Sequence, residues 1–272
     1  TPVSTIIRWF PDKRGLATGL AIMGFGFAAL VTGPVAQKLM ATVGVANTFY
    51  ILGAFYFLVM IVAAQFIKKP RPHELPQAIA QNAQRLSLTG QELTANQALR
   101  TRTFAFLWFM FFINITTGIG LVSAASPMAQ NMTTMTASAA AVMVGILGLF
   151  NGFGRLAWAT LSDYIGRPLT YSLIFILDIA MLFVLLFFKT PFIFALALCL
   201  LLSCYGAGFS VIPAYLGDVF GTKQLGAIHG YILTAWAAAG MVGPVLLSYT
   251  HQVLHNYYVT LVAFVIIDVV AM

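Results

Sequence analysis

Of the 14 Lys and Arg residues in this 272-residue chain, Arg155 alone stands well inside a long apolar run; the others lie in polar segments or within a few residues of one. It precedes the turn at Asp163 by eight residues, about 12 Å of helix. A cation at that depth in a bilayer costs about 2.5–3.5 kcal/mol on the insertion scale, so it normally faces a water-filled path or a partner. The guanidinium is a planar fork that takes a carboxylate through two parallel hydrogen bonds and keeps its charge at physiological pH. Arg155 is therefore a candidate carboxylate receptor; the competing reading is a side chain that snorkels to the surface or pairs with an acid for structure alone. Asp178 and Asp268 also lie inside apolar runs. A carboxyl so placed can carry a proton, which makes Asp178 a coupling candidate, with an acid hydrogen-bonded into packing as the open alternative; Asp268 reads as structural. Asp163 and Arg167 flank a Gly turn and can latch neighbouring helix ends through charged hydrogen bonds, the bland alternative being a solvated pair worth at most about 1 kcal/mol. The histidines, His229, His251 and His255 among them, are scattered without metal-ligand spacing or a nucleophile-base arrangement. No catalytic residue, metal or cofactor is expected, and the chain does not read as an enzyme.

The elements that position these groups follow from composition. With 60% apolar and 8% charged residues, the chain departs far from a soluble domain, in which about 25% of residues are charged. Apolar runs fall near 15–36, 46–67, 104–126, 137–160, 168–188, 192–214, 226–248 and 257–272. Each approaches the length a helix needs to cross a bilayer core of about 30 Å, and none shows the alternation of a membrane barrel. The expected fold class is an all-α membrane protein of about eight transmembrane helices. Placing residues 1–14, the polar stretch 68–103 and the turns at 161–168 and 215–225 on one side collects eleven basic residues there, against Lys38 and Lys189 opposite. That bias marks the first side as cytoplasmic in a multi-pass cell (inner or plasma) membrane protein. The net charge of +7 is thus explained by topology, and no nucleic-acid partner is expected. Cys199 and Cys204 sit in apolar company and read as packing residues.

An internal repeat suggests the larger architecture. The first span runs Gly15-x-x-x-Gly19, through Gly24 and Gly26, to Gly33-Pro34; the seventh runs Gly226-x-x-x-Gly230, through Gly240, to Gly243-Pro244. Small residues at these steps allow close helix approach, and the Gly-Pro predicts a bend near the far end of each helix. A period of six spans with a linker inside it resembles the layout of major facilitator transporters, whose site lies at the midplane between two six-helix halves. On that resemblance the chain is a partial major facilitator fold equivalent to helices 5–12 of 12, a fragment lacking about the first four helices. Residues 1–67 would end the N-terminal half, 68–103 form a cytoplasmic linker, and 104–272 form the C-terminal half, cut in its last helix.

The motifs sharpen the resemblance. Gly154-Arg155-Leu156-Ala157-Trp158-Ala159-Thr160-Leu161-Ser162-Asp163-Tyr164-Ile165-Gly166-Arg167 resembles the cytoplasmic-turn motif of that superfamily. The stretch Arg8-Trp9-Phe10-Pro11-Asp12-Lys13-Arg14-Gly15-Leu16-Ala17-Thr18-Gly19, with Gly217-Asp218-Val219-Phe220-Gly221-Thr222-Lys223 and Ala227-Ile228-His229-Gly230, is similar to the oxalate/formate antiporter family and, more weakly, to animal monocarboxylate transporters. The resemblance implies a secondary active transporter, antiporter or symporter, of small organic anions by alternating access, with a lipid bilayer and a small organic anion, and in the symport case protons, as partners of a monomer. It also implies that Arg155 contacts substrate, and that Tyr205 and Phe209, four apart on one helix face, wall the anion site with Trp236; an ordinary aromatic core is the alternative. Two departures bear on cargo. A lysine that assists the arginine in oxalate exchangers is Trp236 here, so one cation remains and lactate, pyruvate or formate suits it better than oxalate. An Asp that takes part in proton coupling in animal monocarboxylate transporters is Asn151 here, which carries no proton.

Overall fold

A computed structural model describes residues 2–68, 70 and 92–272 of the chain. The helices are α1 (Pro2–Trp9), α2 (Arg14–Phe66), α3 (Ala95–Leu99), α4 (Arg102–Ser123), α5 (Ala125–Met132), α6 (Ala137–Ile165), α7 (Arg167–Phe187), α8 (Pro191–Phe220), α9 (Leu225–Leu254) and α10 (Tyr258–Ala271). Six of them are long and apolar enough to cross a membrane, and α10 is a shorter apolar helix. The 53-residue α2 is about 80 Å of helix if straight, more than twice a bilayer core, and it is not straight. Gly44 has φ 80° and ψ 169°, a region that a side chain all but forbids, and there the chain turns back on itself. The Thr32 and Tyr56 hydroxyls meet at 3.0 Å, and the Trp9 indole N–H donates to the Lys68 carbonyl at 2.7 Å. The two arms of α2 therefore run antiparallel, and with them the structure has the eight apolar spans of the sequence pattern.

The reversal is at Gly44 and not at Gly33-Pro34, where the sequence predicts a bend. Pro34 and Pro244 both lie inside continuous helix, and Gly44 is the one residue of α2 with non-helical dihedrals. The long polar stretch assigned as a linker, 68–103, falls mostly outside the described residues. Its described end is well fastened. Thr94 and Gln97 form a capping box on α3, the Glu92 carboxylate accepts from the Thr222 and Lys223 amides, and Leu93 N–H donates to the Phe220 carbonyl.

Ends elsewhere are set by local chemistry. Pro11 breaks α1 from α2, because its ring has no N–H to continue the ladder; Thr101 and Thr136 cap α4 and α6; Gly166 (φ 88°) and Gly221 (φ 84°) turn the chain after α6 and α8. In the assembled bundle α8 is the most buried span, packed by α6, α7, α4 and the first arm of α2, while α9 lies along α4 and α10 along α7. The first arm of α2 lies close on α6, because small residues face each other. A Cβ at Gly26 would overlap the Gly152 backbone, and one at Gly15 would overlap the Ala159 carbonyl.

That contact gives a direct test. Gly26→Leu forces α2 off α6 and is expected to cost about 1–3 kcal/mol of overpacking, seen as a lower Tm in detergent, whereas the same change at Gly145, with open space around it, leaves Tm nearly unchanged.

Candidate functional site

The site begins with how close α8 comes to α6. A Cβ at Gly154 would stand 2.5 Å from the Ser203 carbonyl, and Gly206 lies against the Asn151 backbone and 3.1 Å, by its absent Cβ, from Arg155 Cγ. This contact presses the aliphatic part of Arg155 against α8. Its guanidinium comes to rest between α2 and α8, and the residue is only 6% exposed. Arg155 Nε donates to Asn151 Oδ1 at 3.1 Å, and Nη1 to the Ile22 carbonyl at 3.4 Å. Asn151 is itself fixed by donating to the Leu202 carbonyl at 3.2 Å. The charge also lies over the Phe209 ring at 5.1 Å and the Phe25 ring at 5.8 Å, each a favourable cation-π distance. All of these partners are neutral. Among the described residues no carboxylate pairs with Arg155.

Arg155 lines a cavity of about 450 Å³. The structure brings Tyr205, Phe209 and Trp236 into the same cavity, so the four binding candidates converge. Phe209 stands edge to face with Tyr205 at 5.6 Å and with Trp236 at 5.5 Å. Such an aromatic wall offers positive ring edges and two polar hydrogens to an anion. His229 lines the cavity as well, a residue that sequence reasoning set aside. The available signal was spacing: His229, Leu233 and Trp236 are four and seven apart and share one face of α9. Asp178 is elsewhere. It is 2% exposed, outside the cavity, and takes a 3.4 Å hydrogen bond from Asn114 Nδ2.

A second polar constellation closes the basic end of the bundle. Asp163 accepts from the Gly15 and Leu16 amides, both at 2.8 Å. It thereby caps the first turn of α2, which has no side-chain cap of its own, and it meets that helix at its positive end. Arg167 Nη2 pairs with Asp163 at 2.6 Å, and Arg167 Nε with Asp218 at 3.0 Å; Arg14 pairs with Asp218 at 2.6 Å. Arg167 also donates to the Ser162 hydroxyl. Two arginines and two aspartates, all with nearly buried side chains, thus join α2, α6, α7 and α8 in a chain with no net charge. The sequence singled out Asp163 and Arg167; it gave no reason to add Arg14 and Asp218, which are 204 residues apart. On the same end Arg8 donates to the Thr222 and Lys223 carbonyls at 2.7 and 2.9 Å.

Comparison with known proteins gives the site a context. Residues 2–267 match the Major Facilitator Superfamily. The oxalate:formate antiporter of Oxalobacter formigenes is 29% identical over 246 residues, covering 89% of this chain and 56% of that protein. Apicoplast pyruvate carrier 1 of Toxoplasma gondii is 23% identical over 304 aligned positions, covering 88% of this chain and 54% of its own. The chain spans about half the length of these curated relatives. Among solved structures, the fucose:proton symporter of Escherichia coli superposes with a TM-score of 0.69 at 14% identity, over 99% of this chain and 71% of that one, a likeness of fold.

The ion-pair chain at the basic end predicts a large effect from a small change. Asp218→Asn leaves the Arg14 guanidinium buried without a carboxylate and is expected to cost about 3–5 kcal/mol, read as a fall in Tm in detergent; an unchanged Tm shows the four groups to be solvated.

Proposed function

Because the chain belongs to the Major Facilitator Superfamily, whose members are multi-pass membrane transporters and not enzymes, we propose that it builds the anion site of a secondary carrier for small organic anions, with a monocarboxylate such as lactate, pyruvate or formate as preferred cargo. The observation that carries this reading is Arg155, a buried cation in a cavity, held by an amide, a carbonyl and two aromatic rings and left without an acid partner among the described residues. A permanent charge in an apolar bundle favours a ligand that neutralises it. A carboxylate does so through two parallel hydrogen bonds, while Asn151 fixes the fork from behind. The names of the two curated relatives, an oxalate:formate antiporter and a pyruvate carrier, support the same class of cargo.

In this reading residues 1–67 close one six-helix half and residues 104–272 belong to the other. The cavity is lined by α1 and the first arm of α2 on one side and by α4, α6, α8 and α9 on the other, the place where such halves meet. The basic end, with residues 68–103, is cytoplasmic. Cargo leaves toward that side when the Asp163–Arg167–Asp218–Arg14 chain parts, and the far end closes as it does. Asp178, outside the cavity lining, serves coupling and not anion contact. A second reading, exchange of a dicarboxylate such as oxalate, draws on His229, whose ring N–H adds a further donor to the cavity wall for a second carboxylate.

Two measurements in vesicles separate these readings. Arg155→Lys loses the bidentate geometry at constant charge; a charged hydrogen bond of about 1.5–3 kcal/mol corresponds to a loss of roughly ten- to a hundredfold in pyruvate counterflow, with membrane expression intact, and normal counterflow removes Arg155 from the site. In the native protein lactate is expected to compete better than oxalate, and Trp236→Lys, by adding a second fixed cation, is expected to reverse that order. Oxalate winning in the native protein at neutral pH establishes the dicarboxylate reading instead.

A further inference from the structure

Asp178 of α7 and Asp268 of α10 are 2% and 0% exposed, on two helices that pack along each other. From α4, Asn114 Nδ2 donates to Asp178 at 3.4 Å and Thr117 Oγ1 to Asp268 at 3.0 Å; the two donors are three residues apart and share one helix face. From α8 the buried Cys204 lies beside the Asn114 amide that bonds Asp178. These are the groups that bear on the pair, and among the described residues none is a lysine, arginine or histidine. Three oxygens buried here have no hydrogen-bond partner at all: Asp178 Oδ1, Asp268 Oδ2 and Asn114 Oδ1. Asn114 is itself 1% exposed.

Two carboxylates in an apolar bundle with no cation beside them cannot both be ionised, since weak neutral donors do not offset the desolvation of two like charges. One added proton removes half the charge and supplies an O–H where acceptor oxygens lack donors. We propose that Asp178 and Asp268 form a two-carboxyl site that binds and releases one transported proton, separate from the anion cavity. The proposal rests on the carrier reading above and deepens it: one proton with one monocarboxylate makes the transfer electroneutral, so the membrane potential neither drives nor opposes it.

The route between the two sites is short. Asn114 Nδ2 also points to the Cys204 carbonyl at 3.5 Å, and Cys204 precedes Tyr205, which lines the cavity. On the next turn Gly208 packs against the Asn114 amide and accepts from the Tyr171 hydroxyl at 3.0 Å, and its neighbour Phe209 lies on Arg155. A proton on Asp178 changes what Asn114 can bond, and Asn114 abuts α8, the helix that carries Tyr205 and Phe209.

The test uses the protein in vesicles, with Asp178 and Asp268 both changed to Asn as a permanently uncharged mimic of the protonated pair. The expected result is loss, by tenfold or more, of pyruvate accumulation driven by an imposed pH gradient, with pyruvate counterflow at equal pH retained. Accumulation that persists in the double variant, or that in the native protein follows a sodium gradient instead, overturns the proposal. A second measurement needs neither cargo nor a folded double variant. Infrared spectroscopy of the native protein at neutral pH should show the carbonyl stretch of a protonated carboxylic acid, shifted in heavy water and lost in Asp178→Asn or Asp268→Asn; the chain has only seven Asp and Glu, so the band is assignable. Its absence overturns the proton site, while its presence in a protein that carries no pyruvate supports the site and leaves the cargo reading as the one that failed.

Discussion

Charge in an apolar bundle must be cancelled or used, and the placement of a handful of ionic groups organises everything else in this molecule. At the basic end Arg14, Arg167, Asp163 and Asp218 cancel one another. Such a chain contributes little net stability over a well-packed apolar contact, but removing one member strands the rest, so in the proposed cycle it is a joint that holds or parts as a unit. Arg155 is arranged the opposite way. Neutral partners orient it without neutralising it, so in the proposed carrier the cost of burying it is recovered when an anion arrives. The same rule applied to Asp178 and Asp268, which have each other and no cation, points to a proton.

Backbone proximity is what lets these groups sit where they do. Lipid gives helices no hydrophobic reason to associate, so close approach through small residues supplies the contact energy. The first arm of α2 touches α6 at Gly15 and again at Gly26 against Gly152, and α8 touches α6 at Gly154 and Gly206. The large side chains displaced from these contacts have to go somewhere. Arg155, Tyr205 and Phe209 extend from the edges of the tight zones into the space between helices, and that space is the cavity.

Much of this was legible in the sequence, for reasons that differ by residue. The eight apolar runs match eight spans because a bilayer demands that length, yet the helices outlast the runs: α6 continues to Ile165 and α8 to Phe220 where apolar content had already fallen. Hydropathy marks the lipid-facing middle, and the left-handed turns at Gly166 and Gly221 determine where these two helices end. Arg155 was legible because a lone cation in an apolar run is expensive. Arg14 and Asp218 were not, since both stand near turns where charges are ordinary and their pairing is created only when α2 meets α8. The reversal at Gly44 was hidden for a related reason: a Gly-Pro pair is a louder signal than a single Gly, but Pro34 lies exposed inside continuous helix, and the chain turned where one residue could adopt φ 80°.

The joint and the cavity share α2, α6 and α8, and the contact between the first two constrains any motion between them. Along α2, Gly15 and Leu16 bond Asp163, the Ile22 carbonyl bonds Arg155, and Gly26 rests on Gly152; along α6 the matching residues run in reverse, Asp163, Arg155 and Gly152. Arg155 therefore lies between a polar contact that can be broken and an apolar one that holds by shape. If the polar end parts while Gly26 stays on Gly152, the tilt of α2 about that point draws the Ile22 carbonyl away from the guanidinium. Opening the basic end and loosening the hold on Arg155 are then one movement, with Asn151, on α6 itself, keeping the fork aimed throughout.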